Sequence, residues 1–383
     1  MKVPLLDLKL QFQSLKHEIM PALETVMDEQ QFILGPNVEK LEQKIASYCN
    51  ATFAVGVNSG SDALLLAMMA MNISPDDKII TTPYTFFATA GSICRLGARP
   101  LFVDINPQTY NICPTAIERL LSNLNDNERR TVKAIMPVHL YGQCAAMGAI
   151  TEIASRYNLM VIEDAAQALG SACNVEGTRA QACSMGDFGC ISFFPSKNLG
   201  GFGDGGMVTV RDEQTAARLR SLRMHGQTAG QYYHGYVGMN GRLDALQAVV
   251  LLKKLPHLDA WAARRRKNAA LYADMFKAAG LEDNLTLPHT QQNNTHVFNQ
   301  FVIRATRRDE LKQHLINNDI GCAIYYPLPL HLQDCFSFLN YKEGDFPESE
   351  KAAAETLALP VYPELSQEQI GYVVETIKEF YTV

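Results

Sequence analysis

Residues 159–167 read LMVIEDAAQ, a short apolar run that ends in two carboxylates and, three residues later, a glutamine. The run predicts a strand over 159–164 that is covered on both faces, because such strands are continuously apolar and do not alternate. A carboxylate at the end of a buried strand, as at Asp164, is costly unless a partner stabilises it. A helix cap would provide one such partner, since aspartate favours that position.

Short apolar runs of the same kind recur on both sides of this strand. Further strands are predicted at 53–57, 78–82, 100–104, 133–138, 188–194 and 206–210. Helical periodicity is found before and between them, at 14–29, 37–49, 61–71, 87–96, 115–122 and 145–157. This order predicts an α/β fold, a large doubly wound domain with a mostly parallel sheet.

Ligands of such sheets bind at the carboxyl ends of the strands. That rule selects four candidate site loops, at 58–61, 83–87, 164–167 and 192–197.

The remainder of the chain predicts a second, smaller unit. A long helix is expected over 242–273 with a break near Pro256, followed by a strand at 296–305 and helices at 307–318 and from Gln367. With 383 residues, 47% of them hydrophobic, the chain can bury more than one core. We predict a large domain over 1–250 and a smaller C-terminal α+β domain over 251–383.

Composition excludes several classes of protein. The net charge of −6 argues against non-specific nucleic-acid binding, which needs a basic surface. No apolar run is long enough to span a membrane, and charges interrupt the N-terminal MKVPLLDLKLQF, so neither a membrane partner nor a signal peptide is expected. The nine cysteines show no paired or iron–sulfur spacing. We predict a cytoplasmic protein with reduced thiols and no metal site.

Lys197 lies in SFFPSKNLGGFGDGG, between an apolar strand and a glycine-rich segment. The glycines would let the backbone pass close to a bulky group. A phosphate-binding loop of the type G-x-x-x-x-G-K-[ST] is absent, because Lys197 precedes the glycines. A solvated surface lysine is the alternative interpretation.

Two other loops carry suitable groups. In NSGSDALLLAMM, from Asn58, a small polar turn opens an apolar helix whose free amides and dipole suit a phosphate, although capping by Ser61 or Asp62 would also explain it. In PYTFFATA, from Pro83, two aromatic residues follow a strand; they could be core residues or could stack on a flat ring.

These features together match the requirements of pyridoxal 5'-phosphate. This cofactor needs a lysine for an imine, an acid beside its pyridine nitrogen, a phosphate cup and a surface against its ring. The sequence offers Lys197 and Asp164 for the first two needs. Gly60, Ser61 and Ser192 would form the cup, and Phe86 would stack on the ring.

At these residues the sequence resembles the DegT/DnrJ/EryC1/StrS family of sugar aminotransferases over nearly its whole length. The segments that carry the resemblance are VPLLDLKLQF, FILGPNVEKLEQKIA, NSGSDAL, PYTFFATA, PVHLYGQ, VIEDAAQALGS, GDFGCISFFPSKNLGGFGDGG, LRMHGQ, GMNGRLDALQA and YYPLPLH. The resemblance implies fold type I of the pyridoxal-phosphate enzymes, working as a homodimer with shared active sites.

The resemblance also implies roles for single residues. Lys197 would form the Schiff base and move a proton, and Asp164 would keep the pyridine nitrogen protonated. Gln167 would contact the side of the ring, and Asn240 would reach the phosphate of the neighbouring subunit. A second set would line the sugar pocket, namely His225 and Tyr326. A turn residue, a loop histidine and a core tyrosine are the alternatives for Asn240, His225 and Tyr326.

The resemblance further implies transfer of an amino group from L-glutamate to a nucleotide-linked keto sugar, since Lys197 is intact. The RMHGQ and RLDALQ blocks are similar to the branch that acts on 3-keto sugars of UDP or dTDP. Relatives that take uronates have arginine where this chain has Met224, and methionine cannot pair with a carboxylate. We therefore expect a sugar neutral at C6. A 4-keto or uronate sugar, or a non-catalytic sensor on the same fold, are the alternatives.

Overall fold

Helices and strands largely alternate from α2 to β5, residues 36–164, in the computed structural model, which describes residues 1–230 and 232–382. The helices are α1 (Leu8–Glu29), α2 (Pro36–Cys49), α3 (Gly60–Ala70), α4 (Ala88–Arg95), α5 (Pro114–Asn123), α6 (Asp126–Thr131), α7 (Met147–Tyr157), α8 (Glu213–Leu222), α9 (Ala245–Lys254), α10 (Leu258–Ala278), α11 (Arg308–Asn317), α12 (Pro347–Glu355) and α13 (Gln367–Thr382). The strands are β1 (Phe53–Val57), β2 (Lys78–Thr81), β3 (Arg99–Phe102), β4 (Val132–Ile135), β5 (Met160–Asp164), β6 (Ala172–Val175), β7 (Thr178–Gln181), β8 (Phe188–Ser192), β9 (Gly206–Val210), β10 (Leu285–Thr286), β11 (Phe301–Ala305) and β12 (Thr356–Leu359).

Seven strands form one sheet in the order β1-β9-β8-β5-β4-β2-β3. Each begins within one residue of its predicted start. β9 is antiparallel to both of its neighbours, and the other pairs are parallel. The predicted α/β class with a mostly parallel sheet is confirmed. Because β9 runs backwards, it starts at the edge where the parallel strands end, and Gly206 pairs with both Val57 and Ser192.

The sequence did not reveal the β6–β7 hairpin or α6. The hairpin strands have four residues each; β7 is mostly polar with no buried residue, and only the first two residues of β6 are buried, so the pair lacks the continuous apolar pattern of the main sheet. Helix α6 buries no residue at all. It depends on a capping box in which Asn125 accepts from the Glu128 amide and the Glu128 side chain accepts from the Asn125 amide.

The long helix predicted over 242–273 is divided as expected. α9 and α10 are separated by a single 3₁₀ turn at residues 255–257, which contains Pro256. Proline has no amide hydrogen to donate and disfavours a regular helix there. α10 then connects two cores, since Leu258 packs with the large sheet and Tyr272 packs with the C-terminal strands.

The C-terminal region has its own three-stranded antiparallel sheet, β10-β11-β12. Its core also includes a residue from the opposite end of the chain, Val3, whose N–H donates to Asp319 O (3.0 Å) and whose carbonyl accepts from Gly321 N (2.8 Å). The division into domains 1–250 and 251–383 stays a prediction. In the described part of the chain, no helix is both long and apolar enough to cross a membrane.

Candidate active site

Asp164 ends β5 and is buried, with two hydrogen bonds to its carboxylate. Thr89 Oγ1 donates to Oδ2 (2.8 Å), and the Ala166 N–H donates to Oδ1 (3.3 Å). Burial raises the pKa of Asp164, while these two bonds and the nearby charge of Lys197 act in the opposite direction. A cationic group bound beside the carboxylate would therefore find a strong partner, which a simple helix cap would not require.

Lys197 follows β8 at the end of a turn in which its N–H donates to Phe194 O (2.8 Å). Burial lowers the pKa of the Lys197 ammonium, and the charge of Asp164 partly offsets this shift. A lowered pKa increases the share of neutral amine, which is the form that attacks a carbonyl or accepts a proton. The interpretation of Lys197 as an ordinary surface lysine is therefore not supported by its surroundings.

The glycine-rich segment after Lys197 is held by helix α9. Lys254 Nζ donates to Gly200 O (2.5 Å), and the Phe202 N–H donates to Gln247 Oε1 (2.8 Å). A Cβ atom at Gly201 would lie 2.7 Å from that same Gln247 oxygen, so glycine permits the close approach. Burial lowers the pKa of Lys254 to about 8.

The three residues predicted for the phosphate cup converge where α3 begins. Ser59 caps the helix by accepting from the Asp62 N–H (3.0 Å), so Ser61 is not needed as the cap. A Cβ atom at Gly60 would lie 2.7 Å from Ser192 Cβ, which places Ser192 directly against the helix start. The first amides of a helix have no partner within it and carry the positive end of its dipole. This corner thus suits a phosphate.

Gln167 and Tyr326 form a direct contact at the same edge of the sheet. Gln167 Oε1 accepts from the Tyr141 N–H (2.7 Å), and Gln167 Nε2 donates to the Tyr326 hydroxyl (3.1 Å). The Phe86 ring centroid is 6.2 Å from that of Tyr326. Phe86 is 55% exposed, so its ring is available to a flat ligand.

His225 and Asn240 lie elsewhere, on a loop that is described at residues 224–230 and 232–240 and is called the 224–240 loop below; both residues are exposed. The His225 N–H donates to Met239 O (3.0 Å), and Met224 pairs with Asn240 in an isolated bridge. The loop reaches the end of β1 through Asn58, whose Nδ2 donates to Asn240 O (3.5 Å). Their assignment to the sugar pocket and to the neighbouring phosphate site stays a prediction.

Several supporting residues were not singled out from the sequence. Thr89 follows Phe86 by three residues, on the turn that opens α4. This spacing could have indicated that Thr89 lies close to the same candidate site loop. Glu163 gave no such signal. Its buried carboxylate accepts from the amides of Cys183 (2.9 Å), Met185 (2.7 Å) and Gly186 (2.7 Å), and it pairs with His139 Nε2 (2.9 Å).

The surroundings therefore fit pyridoxal 5'-phosphate. A half-buried amine and a buried carboxylate with opposite pKa shifts interact at the carboxyl edge of the sheet, beside a helix start whose glycine leaves room for Ser192. These features define a pyridoxal-phosphate enzyme of fold type I.

Residues 13–378 match the DegT/DnrJ/EryC1/StrS aminotransferase family. The chain belongs to this family and is a pyridoxal-phosphate-dependent sugar aminotransferase.

Curated relatives match over essentially the full length. The chain is 49% identical over 381 residues to a "Pleiotropic regulatory protein" of Geobacillus stearothermophilus, covering 100% of this chain and 99% of the relative. It is 41% identical to a UDP-N-acetyl-3-dehydro-alpha-D-glucosamine 3-aminotransferase of Acidithiobacillus ferrooxidans, covering 98% and 97%. It is 38% identical to a UDP-2-acetamido-2-deoxy-3-oxo-D-glucuronate aminotransferase of Pseudomonas aeruginosa, covering 97% and 98%.

The fold is also shared with a solved structure of a related enzyme. DesV of S. venezuelae, crystallised in complex with a ketimine intermediate, superposes with a TM-score of 0.91 at 37% identity. The match covers 99% of this chain and 98% of that one.

Proposed function

We propose that this enzyme transfers an amino group from L-glutamate to a nucleotide-linked 3-keto sugar that is neutral at C6. The observation that carries the chemistry is the electrostatic interaction of Lys197 with Asp164, whose pKa values burial shifts in opposite directions. The observation that carries the substrate class is Met224, where a uronate would call for a cation. The relatives named for UDP-linked 3-keto sugars support a nucleotide-linked 3-keto sugar as the substrate class. One is named for a neutral sugar and the other for a uronate, so the neutral C6 of this proposal rests on Met224.

The cofactor, when bound, withdraws electrons from the carbon that gains or loses the amino group. Lys197 would hold it through the side-chain amine and, once released, would carry a proton to and from the reacting carbon. Its lowered pKa suits a base that works near neutral pH. Asp164 would face the ring nitrogen and keep it protonated, with Thr89 and Ala166 holding the carboxylate in place.

Ser61, Ser192 and the amide of Gly60 would bind the phosphate group, because they converge at the positive end of α3. Phe86 would cover one face of the ring, and Gln167 would contact its side. Each of these groups positions the cofactor without taking part in proton transfer.

A homodimer with shared sites belongs to the same proposal. The 224–240 loop exposes large side chains, with Val237 93% and Tyr232 81% exposed. Exposed apolar groups of this kind are typical of an interface between subunits. Asn240 on this loop would reach the phosphate of the partner, and His225 would join Tyr326 in the sugar pocket.

The identity of the amino donor is tested by the visible absorption of the enzyme. The purified, cofactor-loaded enzyme should lose its visible absorption when L-glutamate is added without a sugar, as the amino group passes to the cofactor. A regulatory protein that only senses a ligand would keep its colour. L-aspartate and L-alanine serve as matched controls, and faster bleaching by either one would contradict the choice of donor.

The substrate is tested with a panel of three compounds. These are UDP-3-keto-N-acetylglucosamine, its uronate counterpart and a dTDP-3-keto-6-deoxyhexose, compared by kcat/KM. A dTDP-4-keto-6-deoxyhexose is assayed beside them to test the position of the keto group. A neutral sugar should be preferred by about tenfold or more, roughly 1.4 kcal/mol in barrier, because the uronate carboxylate would lose water without gaining a partner. A tenfold preference for the uronate would contradict the neutral sugar, and a preference for a 4-keto sugar would separately contradict the position.

A further inference from the structure

Two buried tyrosine hydroxyls converge on one backbone carbonyl next to the candidate active site. Tyr84 OH donates to Tyr325 O (2.7 Å), and Tyr141 OH donates to the same oxygen. Thr356 Oγ1 lies 2.8 Å from the Tyr84 hydroxyl and can donate to it. With this assignment each hydroxyl proton has an acceptor, and both lone pairs of the carbonyl are used. The residue that follows this anchored carbonyl is Tyr326.

Tyr141 makes a second contact with the candidate active site, through its backbone N–H. Its φ is +60°, a left-handed conformation that few non-glycine residues adopt. In this conformation the Tyr141 N–H donates to Gln167 Oε1 (2.7 Å). An amide nitrogen could not accept that proton, so the oxygen of Gln167 must face Tyr141 and the NH₂ group must face Tyr326.

The orientation of Gln167 determines how Tyr326 can bond. The Tyr326 hydroxyl accepts from Gln167 Nε2 (3.1 Å), so its own single proton points elsewhere. Within residues 1–230 and 232–382, this hydroxyl has no other hydrogen-bonding partner. Burial raises the pKa of Tyr326, which keeps the proton on the oxygen through the neutral range.

We propose that Tyr326 is a hydrogen-bond donor to an oxygen of the sugar substrate, and that Tyr141 is its positioning residue. The Tyr141 N–H sets the orientation of Gln167, and the Tyr141 hydroxyl holds the Tyr325 carbonyl that precedes Tyr326. The inference rests on the proposed function, because it takes a sugar as the ligand of Tyr326. Sugar hydroxyl and carbonyl oxygens accept hydrogen bonds readily. A site built to donate at this point selects an acceptor oxygen on the sugar ring and leaves the nucleotide to other contacts.

Tyr110 provides a matched control within the same cluster. Its ring packs edge-on against Tyr141, with centroids 5.6 Å apart, so it contributes to the same packing. Its hydroxyl accepts from Arg304 Nε (3.1 Å) and makes no bond to Tyr325. Removing the Tyr110 hydroxyl should therefore disturb the cluster without releasing the Tyr325 carbonyl that holds Tyr326 in position.

The test measures binding to the cofactor-loaded enzyme by calorimetry, with UDP-N-acetylglucosamine and UDP as probes and dTDP-glucose and dTDP as the alternative pair. Tyr326→Phe should weaken binding of the nucleotide sugar by about tenfold and leave the bare nucleotide within about twofold. Tyr141→Phe should give about a three- to tenfold loss with the same selectivity, and Tyr110→Phe should match wild type.

The double variant Tyr141→Phe/Tyr326→Phe should bind the sugar no more weakly than Tyr326→Phe alone, because the Tyr141 hydroxyl acts on the sugar only by holding Tyr326 in position. Gln167→Glu supplies a second route. Its carboxylate would take the Tyr326 proton, so the same sugar-specific loss is expected even if Tyr141→Phe folds poorly. Visible absorption of the bound cofactor reports whether each variant is correctly assembled.

Multiplicative losses in the double variant, equal losses for sugar and bare nucleotide, or a Tyr110→Phe effect as large as that of Tyr141→Phe would each overturn the inference. If the wild-type enzyme aminates a nucleotide sugar and Tyr326→Phe binds that sugar equally well, the inference alone is wrong. If the wild-type enzyme neither binds nor aminates any nucleotide sugar, the proposed function is wrong.

Discussion

The strand-end cluster (Gly60, Asp164, Gln167, Ser192 and Lys197) and the 224–240 loop differ in how completely one chain builds them. In the cluster, Asp164 and Gln167 are almost fully buried and bonded within the chain. In the loop, His225 and Asn240 are exposed, and Val237 is 93% exposed. This difference supports the proposal that one chain prepares the reaction chemistry by itself, whereas the 224–240 loop would be completed by the partner subunit of the proposed dimer.

The largest effect is expected for Lys197→Ala. Loss of the amine removes both the attachment point of the cofactor and the proton carrier, so turnover should fall to background. Circular dichroism should show an unchanged fold. A borohydride-trapped adduct at the wild-type level in this variant would show that another lysine holds the cofactor, and the strand-end cluster would then be wrongly assigned.

Asp164→Asn comes next. The amide retains the size of the side chain but cannot stabilise a protonated ring nitrogen, so the rate should fall by about three orders of magnitude, roughly 4 kcal/mol in barrier. Single-turnover kinetics with L-glutamate measure this, and the cofactor content of the variant is the control. A rate near that of wild type would remove Asp164 from the mechanism.

Lys254→Met tests, through the pH dependence of stability, the contact that Lys254 makes with the glycine-rich segment after Lys197. Burial lowers the pKa of Lys254 to about 8, below its unfolded value, so between about pH 8 and 10 the unfolded chain binds more protons. Wild-type stability should therefore rise with pH relative to the variant, by about 3 kcal/mol across the full titration. Urea unfolding measures this difference at each pH. Lys253→Met is the control, and parallel curves for wild type and Lys254→Met would contradict the shift.

Met224→Arg tests the loop as a substrate determinant. A guanidinium there could pair with a C6 carboxylate, so the ratio of kcat/KM for the uronate over the neutral sugar should rise about tenfold, near 1.4 kcal/mol. Met224→Leu keeps an apolar side chain and should leave the ratio unchanged. An unchanged ratio in both variants would place sugar selection outside this part of the loop.

The smallest effect is expected from mixed dimers of Lys197→Ala and Asn240→Ala subunits. Each variant alone should be nearly inactive. If sites are shared, every mixed dimer contains one site with an intact Lys197 and an intact Asn240, so random exchange should restore about a quarter of wild-type activity. Native mass spectrometry verifies the exchange. No recovery after complete exchange would mean that Asn240 serves its own chain.

Strand positions and the candidate site were predictable from the sequence to different degrees. The buried strands could be predicted, because residues covered on both faces of a sheet must be apolar. Asp164, Ser192 and Gly60 could be predicted as site residues, because they lie at strand ends or at the helix start, where parallel sheets bind ligands. Residues that act through a bond to another residue gave no comparable signal. From the sequence alone, Tyr141 is indistinguishable from other core aromatic residues, because its role depends on its backbone conformation. Glu163 is seen only as one of two adjacent acidic residues.

The antiparallel direction of β9 could not be predicted from the sequence either. GMVTV predicts a buried strand at 206–210 but not its direction, which depends on pairing with both β1 and β8. Direction is a property of the whole sheet, and local apolar patterning does not encode it.

That pairing also sets the timing of cofactor capture during synthesis. Val57 pairs with Gly206, so the two strands that flank the start of α3 leave the ribosome far apart in time. Until residue 206 has emerged, β9 cannot pack against Ser59, and the phosphate corner is open on that side. We therefore expect the nascent chain to become coloured only after more than half of its length has been made, and chains arrested before β9 should stay colourless.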